Sequence, residues 1–183
     1  MRAAEDADFS NFVAASSRQL LRTAYLIADD LTVAEGLLQA VLDRACRRWP
    51  SILRKNVAEA YVRRLLVRAA VEAGRRREPH GAPLVGDQLP GAQDPGLGGL
   101  HGQAALLSCV RQLPADQRAV LVLRYFDNLS DAATARALGC SVRTVQSQQN
   151  RAMARLSELV PGLAGGASTD SRTGGEHERE ARR

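Results

Sequence analysis

Glycine and proline cluster in two stretches of this 183-residue chain, and their positions limit where regular structure can form. Residues 78–102 hold four of the seven prolines and almost half of the 15 glycines, without helical periodicity. A second glycine-rich stretch follows Pro161. Because glycine and proline weaken helices and strands, both stretches are predicted to be irregular. The predicted organisation is therefore two compact units at 5–77 and 104–160, a flexible linker at 78–103 and a disordered tail at 161–183.

Apolar residues in both units recur at the three- and four-residue spacings that are typical of amphipathic helices, and no stretch alternates like a strand. Thr32, with Glu35 three residues later, has the capping-box pattern of a helix start, and Pro50 is predicted to end that helix. The predicted helices cover about 8–28, 32–49, 57–77, 104–112, 115–127, 131–138 and 142–160. The predicted fold class is all-α, with two small helical domains joined by a flexible linker.

The most specific pattern in the chain runs from Leu129 to Leu156. Ser130 is predicted to cap a short helix, Gly139 to end it in the left-handed conformation, and Ser141 to cap the next helix. Two helices joined in this way form a helix-turn-helix, whose second helix enters the major groove of DNA. The alternative is an ordinary helical hairpin with a polar, solvated face. The inward side of the second helix is predicted to carry Val142, Val145, Met153 and Leu156.

The outward side of this second helix has residue types that suit DNA readout. Arginine can bond guanine, glutamine and asparagine can bond adenine, and hydroxyl groups can bond phosphate or base. The residues predicted to contact base edges are Arg143, Thr144, Gln146, Ser147 and Asn150. Arg151 and Arg155 lie further along and are predicted to contact the phosphate backbone.

The distribution of charge agrees with a polyanionic partner. The chain has 25 Lys and Arg residues against 20 Asp and Glu residues, which gives a net charge of +5. Both helical units are basic, whereas the linker at 78–103 has acidic residues and no basic ones. Basic blocks bind nucleic acid favourably because each neutralised phosphate releases counterions.

Other function classes find little support in the sequence. All three histidines fall in the linker or the tail, and no glycine-rich phosphate-binding or dinucleotide-binding motif is present. Cys46, Cys109 and Cys140 lack metal-site spacing, which predicts reduced thiols in the cytosol. No apolar run reaches the roughly 18 residues of a membrane span, and the acidic N-terminus does not resemble a signal peptide. We therefore predict a cytoplasmic protein that is not an enzyme and has no cofactor, metal or membrane partner.

Several segments carry a family resemblance. In the second unit they are LPADQRAVLVLRY at 113–125, LS at 129–130 and LGCSVRTV at 138–145. These resemble the C-terminal domain of bacterial RNA polymerase sigma factors. The first unit agrees, with LLRTAYL at 20–26, AE at 34–35 with Gln39, and AYVRRLLV at 60–67 continuing to RRR at 75–77. From about residue 5 to 160 the chain resembles the extracytoplasmic-function (ECF) class of the sigma-70 superfamily, and within it the actinobacterial SigE-like branch.

The resemblance implies a sigma factor that binds core RNA polymerase and directs sequence-specific promoter recognition and transcription initiation. The helix-turn-helix would read the upstream promoter element. The helix at 57–77 would grip the downstream element through Arg63, Arg64, Arg68, Arg75, Arg76 and Arg77. The second helix would bind the polymerase through Glu35, Leu38, Gln39, Leu42 and Arg44. The implied partners are core RNA polymerase, promoter DNA and an anti-sigma factor.

Both implied surfaces of the first unit also have simpler interpretations. The arginine triplet at 75–77 suits the negative end of a helix dipole, and the second helix suits ordinary packing in a bundle. A freestanding helix-turn-helix regulator that binds DNA without polymerase is a further alternative, although it leaves the first unit unexplained.

The chain departs from the family pattern at several positions. The family usually has asparagine at Arg68, often has aromatic residues at Ala73 and Gly74, and has an acidic residue at Gly36. It also has glutamate at Ala133 and lysine at Gln146. Because the positions of Arg68, Ala73 and Gly74 contribute to the capture of an unpaired base, these departures bear on strand opening. They also support an alternative function, that of a sigma-like regulator or decoy that binds polymerase, anti-sigma factor or DNA without efficient initiation.

Overall fold

A computed structural model of the chain describes residues 2–54, 57–77 and 100–159. Regular structure in these residues is entirely helical, which confirms the all-α prediction. The helices are α1 (Arg2–Ala28), α2 (Leu31–Cys46), α3 (Trp49–Arg54), α4 (Ala58–Arg77), α5 (Leu100–Arg111), α6 (Ala115–Leu121), a π-helical segment (Val122–Phe126), α7 (Asp131–Leu138) and α8 (Val142–Leu159). The predicted tail and the predicted linker up to residue 99 lie outside the described residues. Residues 100–103, predicted as linker, belong to α5.

The start and end of α2 differ from the prediction. Asp30, not Thr32, caps the helix: its backbone is extended and its carboxylate accepts a hydrogen bond from the Val33 amide at 2.9 Å. Aspartate is at least as good a cap as threonine, so the earlier residue begins the helix and Thr32 falls in the first turn. The helix ends at Cys46, and Pro50 lies in the first turn of α3, where its missing N–H leaves no bond unmade.

The predicted single helix at 115–127 changes character halfway. After Leu121 the backbone widens into the π-helical segment, and the chain then passes through Asn128 in the left-handed region at φ 52°. The Leu129 amide still bonds back to the carbonyl of Leu123 at 2.9 Å. Such π turns are rare and recur at functional sites. Here the turn places Asp127 against the first helical unit.

Local signals in the helix-turn-helix are confirmed. The Ser130 side chain accepts a hydrogen bond from the Ala133 amide at 3.2 Å, and Gly139 has φ 74°. Ser141 caps α8 by accepting from the Thr144 amide at 3.0 Å. The predicted inward face of α8 is half right, because Val145 and Leu156 are buried but Val142 and Met153 are exposed. Ala152, seven residues after Val145 and so on the same helix face, is buried instead.

The N-terminal unit (2–77) and the C-terminal unit (100–159) share an apolar core. The core of the N-terminal unit is built by α1, α2 and α4 around residues such as Ile27 and Leu66, which are fully buried. Ala119, Val122 and Leu123 of the C-terminal unit belong to the same buried cluster. Helix α4 packs on α6 and α7, and α1 packs on α6 and the π-helical segment. The sequence indicates two units but does not indicate that they dock on each other.

Candidate nucleic-acid interfaces

The outward face of α8 is open to solvent. Its buried side is formed by Val145, Ala152 and Leu156, so the opposite side faces away from the protein. All seven residues that the sequence predicts to contact DNA there are exposed: Arg143, Thr144, Gln146, Ser147, Asn150, Arg151 and Arg155. The helix has three arginines and a single acidic residue, Glu158, near its C-terminal end. The geometry therefore presents a basic helix face of the kind that enters a major groove.

One side chain on this face is held by a neighbour on α7. The amide nitrogen of Gln146 donates a hydrogen bond to Oδ2 of Asp131 at 3.2 Å. The other carboxylate oxygen of Asp131 lies 2.8 Å from Nε of Arg124. Arg124 also donates to the backbone carbonyl of Leu129. Sequence reasoning identified Gln146 but not the two residues behind it.

The arginines of α4 have a different environment, because three of them face the C-terminal unit. Nε of Arg63 lies 3.8 Å from Asp127, and its side chain is only 14% exposed. Arg75 makes a bidentate pair with Asp116, at 3.1 and 2.7 Å. The guanidinium of Arg68 lies over Gly139, within 3.7 Å of where a Cβ would stand.

The other described arginines of α4, Arg64 and Arg76, are both exposed. Arg64 is exposed beside a cleft of about 720 Å³ between the start of α4 and the helix-turn-helix, which Arg136 and Val142 also line. Arg76 is exposed and pairs with Glu72 of its own helix at 3.1 Å. The side chain of Arg77 lies outside the described residues.

A buried arginine joins the two units. Arg118 of α6 is 4% exposed, and its Nε donates to the carbonyl of Ile27 at 2.9 Å while its Nη1 donates to the carbonyl of Arg111 at 2.8 Å. Ile27 lies near the C-terminal end of α1, and Arg111 ends α5. The last carbonyls of a helix lack intrahelical donors and carry the negative end of the dipole. One guanidinium therefore satisfies a helix end from each unit.

Gly74 permits the close approach of α4 at this point. A Cβ at residue 74 would lie 3.0 Å from Cβ of Ala115, 3.0 Å from the carbonyl oxygen of Ile27 and 3.1 Å from Nη2 of Arg118. By contrast, a Cβ at Gly36 on α2 would have nothing within 4 Å. The two glycines that depart from the family pattern thus have opposite surroundings.

Asp127 makes a further polar contact between the units. Its carboxylate, 5% exposed, accepts hydrogen bonds from Thr23 of α1 at 2.9 and 3.1 Å. Burial raises the pKa of Asp127, while the Thr23 hydrogen bond and the charge of Arg63 act in the lowering direction. Arg111 of α5 also pairs with Asp29, which follows α1, at 3.0 Å.

Sequence reasoning missed Asp116, Arg118 and Asp127 as contact residues. One signal was available for Arg118. It occupies the apolar stripe of α6 with Ala115, Ala119 and Val122, at spacings of three and four residues, where a charged residue is rarely placed without a buried partner.

The candidate polymerase-binding helix α2 presents part of the predicted set. Glu35, Gln39 and Arg44 are exposed and Leu42 is half-buried. The structure places Leu38 in the core of the N-terminal unit, so its side chain packs inward rather than on the exposed face.

Within the described residues, no group of His, Cys, Asp and Glu side chains is arranged to hold a metal ion. Across the same residues, no helix is long and apolar enough to cross a membrane. Cys46 is exposed, Cys140 half-buried and Cys109 buried, and all three are free thiols.

The chain is similar to known proteins over most of its length. Residues 103–156 match the family described as Sigma-70, region 4. The chain is 38% identical over 152 residues to the RNA polymerase sigma-E factor of Streptomyces avermitilis, covering 82% of this chain and 84% of that protein. It is 31% identical over 143 residues to the ECF RNA polymerase sigma factor SigM of Mycobacterium tuberculosis, covering 78% and 72%.

A solved structure supports the fold. The sigma factor RpoE of Bartonella quintana, determined in complex with the anti-sigma factor NepR, matches with a TM-score of 0.63 at 24% identity, covering 84% of this chain and 97% of that one. The identity to the sigma-E factors over most of both chains decides the family. This chain belongs to the ECF class of bacterial RNA polymerase sigma factors, in the actinobacterial SigE-like group.

Proposed function

We propose that this chain binds core RNA polymerase in the cytoplasm and directs sequence-specific promoter recognition and transcription initiation, without enzymatic activity of its own. The observation that carries the proposal is the open basic face of α8, capped by Ser141 in a helix-turn-helix. Its exposed arginine, glutamine and asparagine side chains have the donors and acceptors that base edges require. We assign this face to the upstream promoter element.

We assign the α4 arginines to the downstream element. In the present arrangement Arg63 and Arg75 lie against Asp127 and Asp116, and Arg68 lies against the turn at Gly139. Arg63 is covered by this packing, whereas Arg68 and Arg75 remain exposed. Contact of all three arginines with the downstream element therefore requires the two units to separate, with phosphates replacing these carboxylates as partners of the arginines.

We assign polymerase binding to the exposed side of α2, through Glu35, Gln39 and Arg44, with Leu42 at its edge. Leu38 supports that side from within the core. An anti-sigma factor is a further proposed partner, by analogy with the Bartonella quintana complex.

The test is a pull-down with core RNA polymerase followed by runoff transcription from a matched promoter. A sigma factor binds the polymerase and yields transcript. A freestanding regulator binds promoter DNA but fails the pull-down, and a decoy passes the pull-down but yields no transcript. Loss of specific transcript with R143A, while the pull-down is unchanged, would assign promoter reading to α8.

A further inference from the structure

We propose that Asp131 is a positioning residue that sets which bases Gln146 accepts. By binding the amide nitrogen of Gln146, Asp131 leaves the amide oxygen as the projecting atom on the DNA-facing side of α8. That oxygen accepts a hydrogen bond from the amino group of adenine or cytosine and opposes guanine and thymine. The inference rests on the proposed role of α8 in reading the upstream element.

Arg124 supports the contact between Gln146 and Asp131. Gln146 donates to Oδ2 of Asp131 at 3.2 Å, and Oδ1 of Asp131 lies 2.8 Å from Nε of Arg124. The side chains of Arg124 and Asp131 are 29% and 28% exposed, so both are partly shielded from solvent. Arg124 is fixed in turn by donating to the carbonyl of Leu129. One carboxylate oxygen of Asp131 therefore lies beside the Arg124 guanidinium, and the other points toward α8.

The chemistry of the groups determines which end of the amide faces Asp131. An ionised carboxylate only accepts hydrogen bonds, whereas a glutamine amide has a donor end and an acceptor end. Only the NH₂ end of Gln146 can bind Asp131, because its oxygen would meet a negatively charged oxygen. The amide oxygen is consequently directed away from α7.

Base edges differ in what they offer to such an oxygen. In the major groove adenine and cytosine each present an amino donor, whereas guanine presents two acceptors and thymine an acceptor and a methyl group. An unconstrained glutamine can rotate its amide to suit different partners. A glutamine held by Asp131 would lose its hydrogen bond to the carboxylate if its amide rotated.

Gln149 on the same helix provides an internal contrast. Its amide nitrogen lies 3.1 Å from the hydroxyl of Tyr125. A hydroxyl both donates and accepts, so it holds either end of an amide and imposes no orientation. Orientation is imposed only where the partner is a carboxylate.

The experiment measures base preference at every position of the upstream element. Holoenzyme is assembled from core RNA polymerase and the full chain, and bound promoters are selected from a pool randomised in that element. For the wild-type chain we expect one position at which adenine or cytosine is preferred over guanine by about tenfold, and Q146A should abolish that preference. In D131N the partner can donate as well as accept, so the preference should fall to about threefold or less at that position alone.

Two measurements separate positioning from a general structural role. E158Q, a matched carboxylate-to-amide change at the far end of α8, should leave every preference unchanged. The midpoint of thermal unfolding of D131N should stay close to that of the wild-type chain. A merely structural role would instead lower this midpoint and weaken binding to all sequences equally. A preference for guanine or thymine at the Gln146 position, or an unchanged preference in D131N, overturns the positioning role. Absence of any base preference in the wild-type chain and in R143A would instead overturn the proposed reading function of α8.

Discussion

Helices α4 and α8 are both rich in arginine, and the sequence predicts DNA contact for each, yet their surroundings differ. The α8 arginines are exposed, with a single acidic residue on their own helix. Of the α4 set, Arg63 and Arg75 lie against carboxylates of the C-terminal unit. Arginine content thus indicates that a helix face suits an acidic partner, but it does not say whether that partner is DNA or another part of the same chain.

The packing around α4 also explains one departure from the family pattern, the glycine at position 74. From the sequence, Gly74 suggests the loss of an aromatic residue that helps to capture a base. In the structure Gly74 lies where α1, α4 and α6 meet, and even a methyl group would be crowded there. The glycine has a packing role in the docked arrangement, which is a physical reason for its presence independent of strand opening.

The largest expected effect comes from the buried arginine that joins the units. R118M removes the donors to the Ile27 and Arg111 carbonyls and leaves both helix ends unsatisfied. We expect the free energy of unfolding to fall by about 2–6 kcal/mol, since each of the two buried unsatisfied carbonyls costs about 1–3 kcal/mol. Urea unfolding measures the change, and small-angle scattering shows whether the units separate.

The matched control for that change is R155M on the open face of α8, which should alter stability by no more than about 0.5 kcal/mol. Equal losses in the two variants would contradict the special role of Arg118 and would remove the main polar reason for docking.

A second test uses the two glycines in opposite surroundings. G36A should raise the free energy of unfolding by about 1 kcal/mol, because alanine favours a helix and its Cβ meets no atom within 4 Å. G74A should instead lower it by about 1–3 kcal/mol, since the new Cβ is crowded by Ala115 and the Ile27 carbonyl. Thermal and urea unfolding of both variants would measure the difference. Stabilisation by both changes would show that α4 does not approach α6 as described.

The accuracy of the sequence-based prediction follows the range of the interactions involved. Ser130, Gly139 and Ser141 were placed correctly because a cap depends on residues within one turn of the chain. The prediction that Thr32 caps α2 is wrong because Asp30, two residues earlier, is an equally local and better-placed cap. The π-helical segment was missed because helical periodicity does not distinguish an α turn from a π turn over five residues.

Docking of the units could not be predicted in the same way. Arg75 and Asp116, or Thr23 and Asp127, are joined only by the fold, and no spacing pattern links residues on separate helices. The exposure of the seven predicted DNA-contact residues of α8 follows from the period of one helix, although Val142 and Met153, which were predicted to face inward, are exposed as well. The environment of α4 depends on a neighbour encoded elsewhere in the chain.

A smaller effect is expected from the ion pair at the edge of the docked surface. Arg75 and Asp116 are 53% and 40% exposed, so solvent screens their attraction and D116N should lower stability by less than about 1 kcal/mol. The loss should shrink further in 1 M salt. The same change removes a negative charge that faces α4, and DNA binding by the full chain should rise by up to about threefold at low salt. Weaker DNA binding in D116N, measured by fluorescence anisotropy, would contradict competition between this carboxylate and DNA.

The smallest expected effect concerns the pH dependence of the Asp127 contact. Four groups facing this carboxylate act to lower its pKa, namely Thr23, Arg63, Gln19 and Arg22, but burial outweighs them and raises it above the ordinary value of 3.8. A folded state with a raised carboxyl pKa holds the proton more tightly than the unfolded state, so this group's contribution to stability increases as pH falls through the raised pKa. D127N imitates the protonated form, so it should be more stable than wild type at neutral pH, and the difference should vanish as pH approaches 3.8. Urea unfolding at several pH values measures the difference, with D43N on the exposed side of α2 as the control for loss of a surface charge. If D127N is instead less stable at neutral pH, attraction to Arg63 outweighs burial, and Asp127 is held to the N-terminal unit by charge rather than by the neutral Thr23 hydrogen bond.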